Sequence, residues 1–270
     1  KSALANNTTA NENTAIGFAA CDANTTGARN TGIGKSALAS NSTGSNNTAL
    51  GNLALNQVTG DENIGIGYAA GQSITSGVRN VVLGIQAYDN SDGENDNIAI
   101  GYQALTTNTA GGNQNVAVGN YALDALTSAD NCVAVGHQAG TAITSGNHLT
   151  CIGQHAGGEM IGNQNSSCFG YNAQPSSNSV DSEITFGDGN ISALRCNDQS
   201  IAALSDGRDK TDVVDLPHGL DFINQTRPVR FKWDIRDGQP GQGKQGTTNY
   251  GFIAQELLEI GNNEEHRLVY

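Results

Sequence analysis

The 270-residue sequence has few of the side chains from which compact enzymes build a thick core. Aromatic residues make up 5% of the chain and charged residues 14%. No proline occurs before Pro175, and no apolar run is long enough for a membrane-spanning helix. A chain this poor in large side chains can bury only a thin ribbon of small residues, provided that the ribbon is long or meets copies of itself.

Positive charge is also scarce. Thirteen Lys and Arg stand against 26 Asp and Glu, which gives a formal net charge of −13. This balance argues against nucleic acids and anionic membranes as partners. The densest acidic segment contains Asp89, Asp92, Glu94 and Asp96, and its order does not match an EF-hand loop, so we interpret it as an acidic surface turn.

What the sequence has instead is a repeat. Ten glycines stand 16 to 18 residues apart, and an alanine follows each of them three positions later. These repeat glycines are Gly17, Gly34, Gly51, Gly67, Gly84, Gly101, Gly119, Gly136, Gly153 and Gly170. A fixed period this short is typical of a solenoid, in which each repeat forms one coil. The letters KSAL open the chain and recur after Gly34, so we expect the chain to begin within a repeat, as a piece of a longer fibre.

Each repeat glycine ends a short apolar segment such as NTAIG or NVAVG. Because side chains alternate along a strand, the residues one and three positions before the glycine share one face, and the small residue between them faces the other way. We predict that the branched face closes the interior of the coil, which has room for two strands of roughly five residues. The predicted buried ladder is Ile16, Ile33, Leu50, Ile66, Leu83, Ile100, Val118, Val135, Ile152 and Phe169.

Two further columns follow the same register. Asparagine stands four positions before the repeat glycine in seven coils, at Asn13, Asn30, Asn47, Asn63, Asn80, Asn97 and Asn115. These side chains can bond one another along the axis, or Asn can simply tolerate the turn there, and both interpretations stay open. The five cysteines cannot all pair within one chain. We interpret Cys151 and Cys168, each two residues before a repeat glycine, as small core residues in a reducing compartment.

Under this assignment the small-residue columns would be bare on a single chain. Small residues let backbones approach closely, so we infer that identical chains associate in parallel as a homotrimer. The N-x-A-I-G-x-x-A pattern resembles the heads of trimeric autotransporter adhesins over Lys1 to about Pro175. That resemblance implies a mainly β, left-handed parallel β-roll or solenoid that is homotrimeric.

The composition shifts after Gln174. Nine of the 13 Lys and Arg residues lie between Arg195 and Arg267, with the single Trp. Apolar segments between Gly- and Asn-rich turns predict short strands, followed by a small α+β domain. The predicted strands lie near Ile184–Phe186, Ile191–Arg195, Ser200–Leu204 and Pro228–Trp233, and the predicted helices at Leu216–Asn224 and Phe252–Ile260.

Ser205 and Lys210 lie five residues apart in the segment LSDGRDK. A Ser–Lys pair can cut a peptide bond when burial keeps the lysine neutral, so that it accepts the hydroxyl proton. In an N→O acyl shift, Ser205 would attack the carbonyl of Leu204, and the Leu204–Ser205 bond would break. Asp206 and Asp209 favour protonated lysine, so the residues alone make a charged turn the simpler interpretation.

Three separated segments change that interpretation. SDGRDK, GLDFINQTRPVRFKW and YGFIAQEL, in this order, closely resemble the endosialidase-type intramolecular chaperone at the C-termini of phage tail spikes and fibres. The family trimerises its chain, helps the β-structured fibre fold and then cuts itself off. The resemblance puts its nucleophile at Ser205 and the lysine partner at Lys210, with Asp206 and Arg208 at structural positions. The family usually continues into a long C-terminal helix, and this chain stops at Tyr270 before it.

The two resemblances imply a structural and host-recognition segment of a trimeric viral tail fibre or spike, located in the virion and assembled in the host cytoplasm. Its parts would be a repeat β-roll at 1–176, a β connector at 177–204 and the chaperone at 205–270.

Expected partners are further copies of the chain, tail or baseplate proteins bound through a missing N-terminal part, and a host surface receptor that is a glycan or a protein. We expect no cofactor, metal, nucleic acid or membrane insertion, and no activity beyond single-turnover self-cleavage. The alternative is a trimeric bacterial cell-surface adhesin.

Overall fold

The computed structural model describes residues 2–107, 111–194, 224–232, 248–253 and 256. The chain divides into two compact units, Lys1–Ile191 and Ser192–Tyr270. Within the described residues the structure is mainly β, and helix is limited to residues 224, 225 and 256.

The first unit is a parallel β-solenoid, as predicted. Each coil contributes one strand, and eleven strands pair in chain order into a single parallel sheet. The strands are β1 (Thr14–Ile16), β2 (Thr31–Ile33), β3 (Thr48–Leu50), β4 (Ile64–Ile66), β5 (Val81–Leu83), β6 (Ile98–Ile100), β7 (Val116–Val118), β8 (Val133–Val135), β9 (Thr150–Ile152), β10 (Ser167–Phe169) and β11 (Ile184–Phe186). The register aligns equivalent residues of successive repeats, for example Ile16 with Ile33.

The prediction of two five-residue strands per coil is wrong, because each described coil has one strand of three residues. Turns form the rest of the coil, and they use left-handed residues such as Ser36 and Leu38, with φ of 58° and 52°. Their backbone groups nevertheless bond between coils. The Ser36 N–H donates to the Phe18 carbonyl at 2.9 Å, and the Leu38 N–H to the Ala54 carbonyl at 3.1 Å. The turns therefore satisfy the buried backbone without a second strand.

Stacking of the coils depends on the repeat glycines. Gly101 has a φ of 134°, a conformation that L side chains rarely adopt, and a Cβ at this position would lie 2.5 Å from the carbonyl oxygen of Gly119. The glycine thus provides both the change of direction predicted from the sequence and the close approach of one coil to the next.

The core contains the small residues of the strands, and this reverses the predicted assignment. Ala99 is fully buried, whereas its neighbour Ile100 is 36% exposed and Ile16 is 60% exposed. The reason is the narrow interior of the coil. A Cβ added to Gly65 on the inward face would already lie 2.6 Å from Leu55 Cγ. No side chain fits at Gly65, and the equivalent inward positions are mostly Ala, Gly or Cys, although β5 accommodates Val82. The larger ladder that was predicted to be buried therefore lies on the outside.

Residues that follow the repeat glycine fill the interior. The alanine three positions later is fully buried in all ten coils. The residue directly after this alanine and the residue three positions further along the chain compensate each other in side-chain size. Gly71 is paired with the buried Ile74, and Gly140 with the buried Ile143, whose side chain occupies the space that a Cβ on Gly140 would need. The coils therefore keep dense packing with different sequences.

The asparagine column bonds along the axis, mainly to the backbone. Asn47 Oδ1 accepts a hydrogen bond from the Asn63 N–H at 2.9 Å, and Asn47 Nδ2 donates to the Gly60 carbonyl at 2.9 Å. A second ladder, which the sequence interpretation missed, runs in the opposite direction. The N–H of Ser45 donates to Asp61 Oδ1 of the following coil at 2.7 Å.

The last strand of the sheet is β11, which the sequence assigned to a connector. The predicted strand at Ile191–Arg195 is wrong for residues 191–194, which have no regular structure. The predicted strand Ser200–Leu204 lies outside the described residues.

In the second unit, β12 (Val229–Lys232) pairs antiparallel with β13 (Thr248–Gly251), which confirms the strand predicted at Pro228–Trp233. The helix predicted at Phe252–Ile260 does not include residues 252 and 253. The rest of that helix, apart from residue 256, and nearly all of the helix predicted at Leu216–Asn224 lie outside the described residues.

Candidate functional site

The outward face of the sheet is the first candidate site. Its central column, called here the outer ladder, consists of Ile16, Ile33, Leu50, Ile66, Leu83, Ile100, Val118, Val135, Ile152, Phe169 and Phe186. Every member is apolar, and each is exposed or half-buried. Exposure is 45% at Leu50 and 57% at Phe186. The ladder therefore presents a continuous row of large apolar side chains to the surroundings of the chain.

A parallel column lies two residues earlier in each strand. It is Thr at β1, β2 and β3, Ile or Val from β4 to β8, and Thr or Ser at β9 and β10. The apolar surface is consequently widest in the middle coils. At the C-terminal end of the outer ladder, the rings of Phe169 and Phe186 stack with centroids 5.5 Å apart and planes 19° apart.

The size of this face follows from strand geometry. Strands are spaced about 4.8 Å apart, so eleven of them extend roughly 50 Å, and the two columns cover a width of roughly 10 Å. Thr or Ser occupies five second-column positions, so the apolar patch is smaller than the full area of about 500 Å². A patch of a few hundred Å² is as large as the largest one on a typical monomer, and such patches are often functional.

A polar column borders the face on one side. Arg29 Nε donates to Asn46 Oδ1 of the next coil at 2.7 Å, and Arg79 Nε donates to Asp96 Oδ1 at 2.6 Å. The hydrogen bond from Arg79 lowers the pKa of Asp96 below its usual value. These partners are solvated, so the column delimits the apolar surface rather than extending it.

The acidic segment is a surface turn only in part. Asp92 is exposed, but Glu94 is 5% exposed, which corrects its assignment as a surface acid. Its Oε2 accepts hydrogen bonds from Ser91 Oγ at 3.1 Å and the Asp92 N–H at 2.8 Å, and its Oε1 accepts one from the Gly111 N–H at 3.1 Å. This carboxylate is fully engaged in holding neighbouring turns together.

Cys151 and Cys168 lie in the core, as predicted, and Cys21 and Cys132 are buried as well. Cys151 and Cys168 are buried and unpaired, and they are aligned on adjacent strands. Burial raises the pKa of Cys21 and of Cys132 to about 11 and raises that of Cys151 further. A thiol held protonated is a poor nucleophile and metal ligand. These cysteines therefore act as small apolar side chains.

The second candidate site, the cleavage segment, lies outside the described residues. This applies to Leu204, Ser205 and Lys210 and to the flanking Asp206 and Arg208. In the same unit, the described residues include a two-point pairing of Arg227 with Glu256, in which Arg227 Nε donates to Glu256 Oε2 at 3.1 Å and Nη2 donates to Oε1.

Within the part of the chain that the structure describes, no group of three or more His, Cys, Asp or Glu is placed to hold a metal ion. The described helical residues also include no apolar helix of membrane-spanning length.

Comparison with known proteins adds one finding. Residues 205–266 match the family described as the chaperone of endosialidase. The match confirms the resemblance inferred for the C-terminal segment, and it begins at Ser205. No curated protein and no solved structure matches the chain.

Proposed function

We propose that this chain is a segment of a self-associating, trimeric viral tail fibre or spike, with a C-terminal intramolecular chaperone that releases itself by cutting the Leu204–Ser205 bond. Tail or baseplate proteins and a host surface receptor would be its other partners.

The unbroken outer ladder carries the association part of the proposal. A monomer would leave these branched side chains in water along all eleven strands. Burying such a surface between copies gains about 25 cal/mol for each Å² of apolar area. Parallel copies in register would align equivalent coils, so apolar residues meet apolar residues along the whole length. This role belongs to the branched face, and not to the small-residue face from which the sequence inferred it.

The chaperone match supports the number of copies and the cleavage. Residues 205–266 are similar to this chaperone family, and the resemblance implies three chains. In the proposed reaction, Ser205 Oγ attacks the carbonyl carbon of Leu204 while Lys210 accepts the hydroxyl proton. The C–N bond breaks as Lys210 gives this proton to the leaving nitrogen, which leaves an ester with a free Ser205 amine. Water then hydrolyses the ester, which gives a carboxylate at Leu204 and restores the Ser205 hydroxyl.

Sedimentation analysis of the 270-residue chain tests the association. We expect the mass of three chains for the parent. Ile100→Asp should lower the association constant at least tenfold, because each copy would bring a charge to the apolar contact. The matched control is Asn52→Asp, which adds a charge at an exposed position outside the outer ladder. A stable folded monomer of the parent would overturn the association.

Denaturing electrophoresis tests the cleavage separately. The parent should give two fragments that part between Leu204 and Ser205, and Ser205→Ala and Lys210→Ala should each remain intact while still associating. Ser200→Ala is the control and should cleave normally. A single uncut band for the assembled parent would leave the segment as a chaperone without cleavage.

A further inference from the structure

The second column of the outward face, formed by the first residue of each strand, has a pattern that apolar association alone does not need. Hydroxyl side chains lie on strands near both ends of the sheet, and apolar side chains lie between them. The hydroxyl positions are Thr14, Thr31, Thr48, Thr150 and Ser167, and the apolar positions are Ile64, Val81, Ile98, Val116, Val133 and Ile184. All of these side chains are exposed or half-buried. The second column therefore changes in character along the axis, whereas the outer ladder is apolar throughout.

The five hydroxyls of the second column have no hydrogen-bond partner among the described residues. Hydroxyls in the turns, in contrast, are used within the chain. Thr25 Oγ1 donates to the Ser42 carbonyl and Thr127 Oγ1 donates to the Thr144 carbonyl, each at 2.9 Å and each across to the next coil. A hydroxyl that is removed from water by a contact between chains needs a partner in the other chain.

The alignment of two copies decides whether such partners are present. In register, each hydroxyl lies at the height of the same hydroxyl in the neighbouring chain, and a hydroxyl can donate and accept at once. A displacement by one coil sets hydroxyls against apolar side chains at three places, which are Thr48 against Ile64, Val133 against Thr150 and Ser167 against Ile184. Each of these places would bury a hydroxyl without a partner, which costs free energy.

The outer ladder discriminates less between the two alignments. Nine of its eleven members are Ile, Leu or Val, so a displaced copy would mostly meet side chains of similar size and character. A repeat in every coil thus offers several alignments about 4.8 Å apart, and a surface without distinguishing positions specifies its register weakly.

We propose that the second column fixes the axial register in which copies of this chain associate. The partner is a second copy in parallel orientation, so the inference rests on the association proposed above and adds the alignment that it selects. An entirely apolar column would bind at least as tightly, because burying a methyl group gains more than burying a hydroxyl. Specificity is a difference between affinities, and here the disfavoured state is the displaced one.

The test compares the full-length parent with two variants. The apolar variant combines Thr14→Val, Thr31→Val, Thr48→Val, Thr150→Val and Ser167→Val, which removes the hydroxyls and keeps a similar shape. The matched control combines Thr14→Ser, Thr31→Ser, Thr48→Ser, Thr150→Ser and Ser167→Thr, which keeps every hydroxyl.

Disulfide cross-linking measures the register. Chains with Leu50→Cys are assembled with chains that have Ile66→Cys, at neighbouring positions of the outer ladder. All chains also have Cys196→Ser, and the four described native thiols are buried. Disulfides form only between Cα atoms within about 7 Å, so copies in register join equal positions and displaced copies join position 50 to position 66.

In the parent and in the control, disulfides between equal positions should exceed those between positions 50 and 66 by about tenfold or more. In the apolar variant this ratio should fall by about fivefold or more, while sedimentation shows association at least as tight as that of the parent.

The two readouts distinguish the register from the association. A monomeric parent in sedimentation would overturn the association and this inference with it. An associated parent that forms both kinds of disulfide equally, or none between equal positions, would overturn the register alone. An apolar variant that keeps the ratio of the parent, or a control that loses it as the apolar variant does, would also overturn the role of these hydroxyls.

Discussion

The inward face of the sheet consists mainly of alanine, glycine and cysteine, whereas its outward face carries isoleucine, leucine, valine and phenylalanine. Most globular domains place their larger apolar side chains inside. In a coil of 16 to 18 residues the circumference sets the interior volume, and the alanine and leucine positions after the glycine already occupy it. Size therefore selects the inward residues here, whereas the apolar residues of the outward face are free to serve the contacts between chains that we propose.

The largest effect should come from placing a charge on the inward face. Ala99→Asp would put a carboxylate where the side chain is fully buried, with no cation beside it. We expect a loss of about 3–5 kcal/mol in the free energy of unfolding, or failure to fold. Urea unfolding followed by circular dichroism measures it. Ile100→Asp, one residue away, should retain the circular dichroism of the folded roll in the absence of urea and lose stability only through weaker association of the copies. Loss of the folded spectrum without urea in both variants would show that the two faces do not differ in burial within the coil.

The sequence predicted much of this fold because the period fixes the architecture. Glycines in register, with no proline before Pro175, required stacked coils with a continuous backbone ladder. It did not predict which face is inside. Alternation along a strand separates two faces, but only the volume inside the coil assigns them. That volume depends on the packing of residues such as Leu55 and Ile74 across the coil, for which the strand itself contains no signal.

A smaller loss should follow removal of one inward hydrogen-bonding side chain. Asn47→Ala would leave the Asn63 N–H and the Gly60 carbonyl without this partner. The buried Asn63 N–H costs about 1–3 kcal/mol when unsatisfied, and the half-buried Gly60 carbonyl costs less because water reaches it, so we expect a loss of roughly 2–4 kcal/mol in the same urea experiment. Asn52→Ala is the control on the outside and should stay within about 0.5 kcal/mol of the parent. If both variants behave alike, the axial asparagine bonds do not stabilise the roll.

Hydrogen bonds and motifs differ in how far the sequence predicts them. The asparagine column was visible as a repeated letter, although its partners turned out to be mainly backbone groups. The second ladder was missed because its position varies among Asn, Ser, Asp and other residues, as at Ser45 and Asp61. The Ser205–Lys210 pair, in contrast, could not be recognised from its own residues. Spacing alone favoured a charged turn, and only the order of three motifs pointed to Ser205 and Lys210.

Alkaline pH should act on the inward face through its thiols. Burial raises the pKa of Cys132 from 9.0 to about 11, so the folded state keeps a proton that the unfolded chain releases. The stability from this group is complete below about pH 9 and declines toward pH 11, by up to about 1.4 kcal/mol per pH unit. Urea unfolding at pH 8 and at pH 10.5 should show the decline. The free energy of unfolding of Cys132→Ala should fall less between these two pH values than that of the parent. An equal fall in the parent and the variant would show that other groups cause the decline.

The smallest effect is expected at the polar column beside the outward face. Arg79 and Asp96 form an ion pair at 2.6 Å, but their side chains remain 53% and 36% exposed, so water and salt screen the attraction. Because Arg79 lowers the pKa of Asp96, any stability from the pair is present at neutral pH and is lost as the pH falls through that lowered value. We expect Arg79→Gln to melt at the temperature of the parent, within experimental error, at pH 7 in both low and high salt. A clearly lower melting temperature of the variant at pH 7, which disappears in acid or in high salt, would mean that this solvated column stabilises the roll. The inward face would then not be the sole source of its stability.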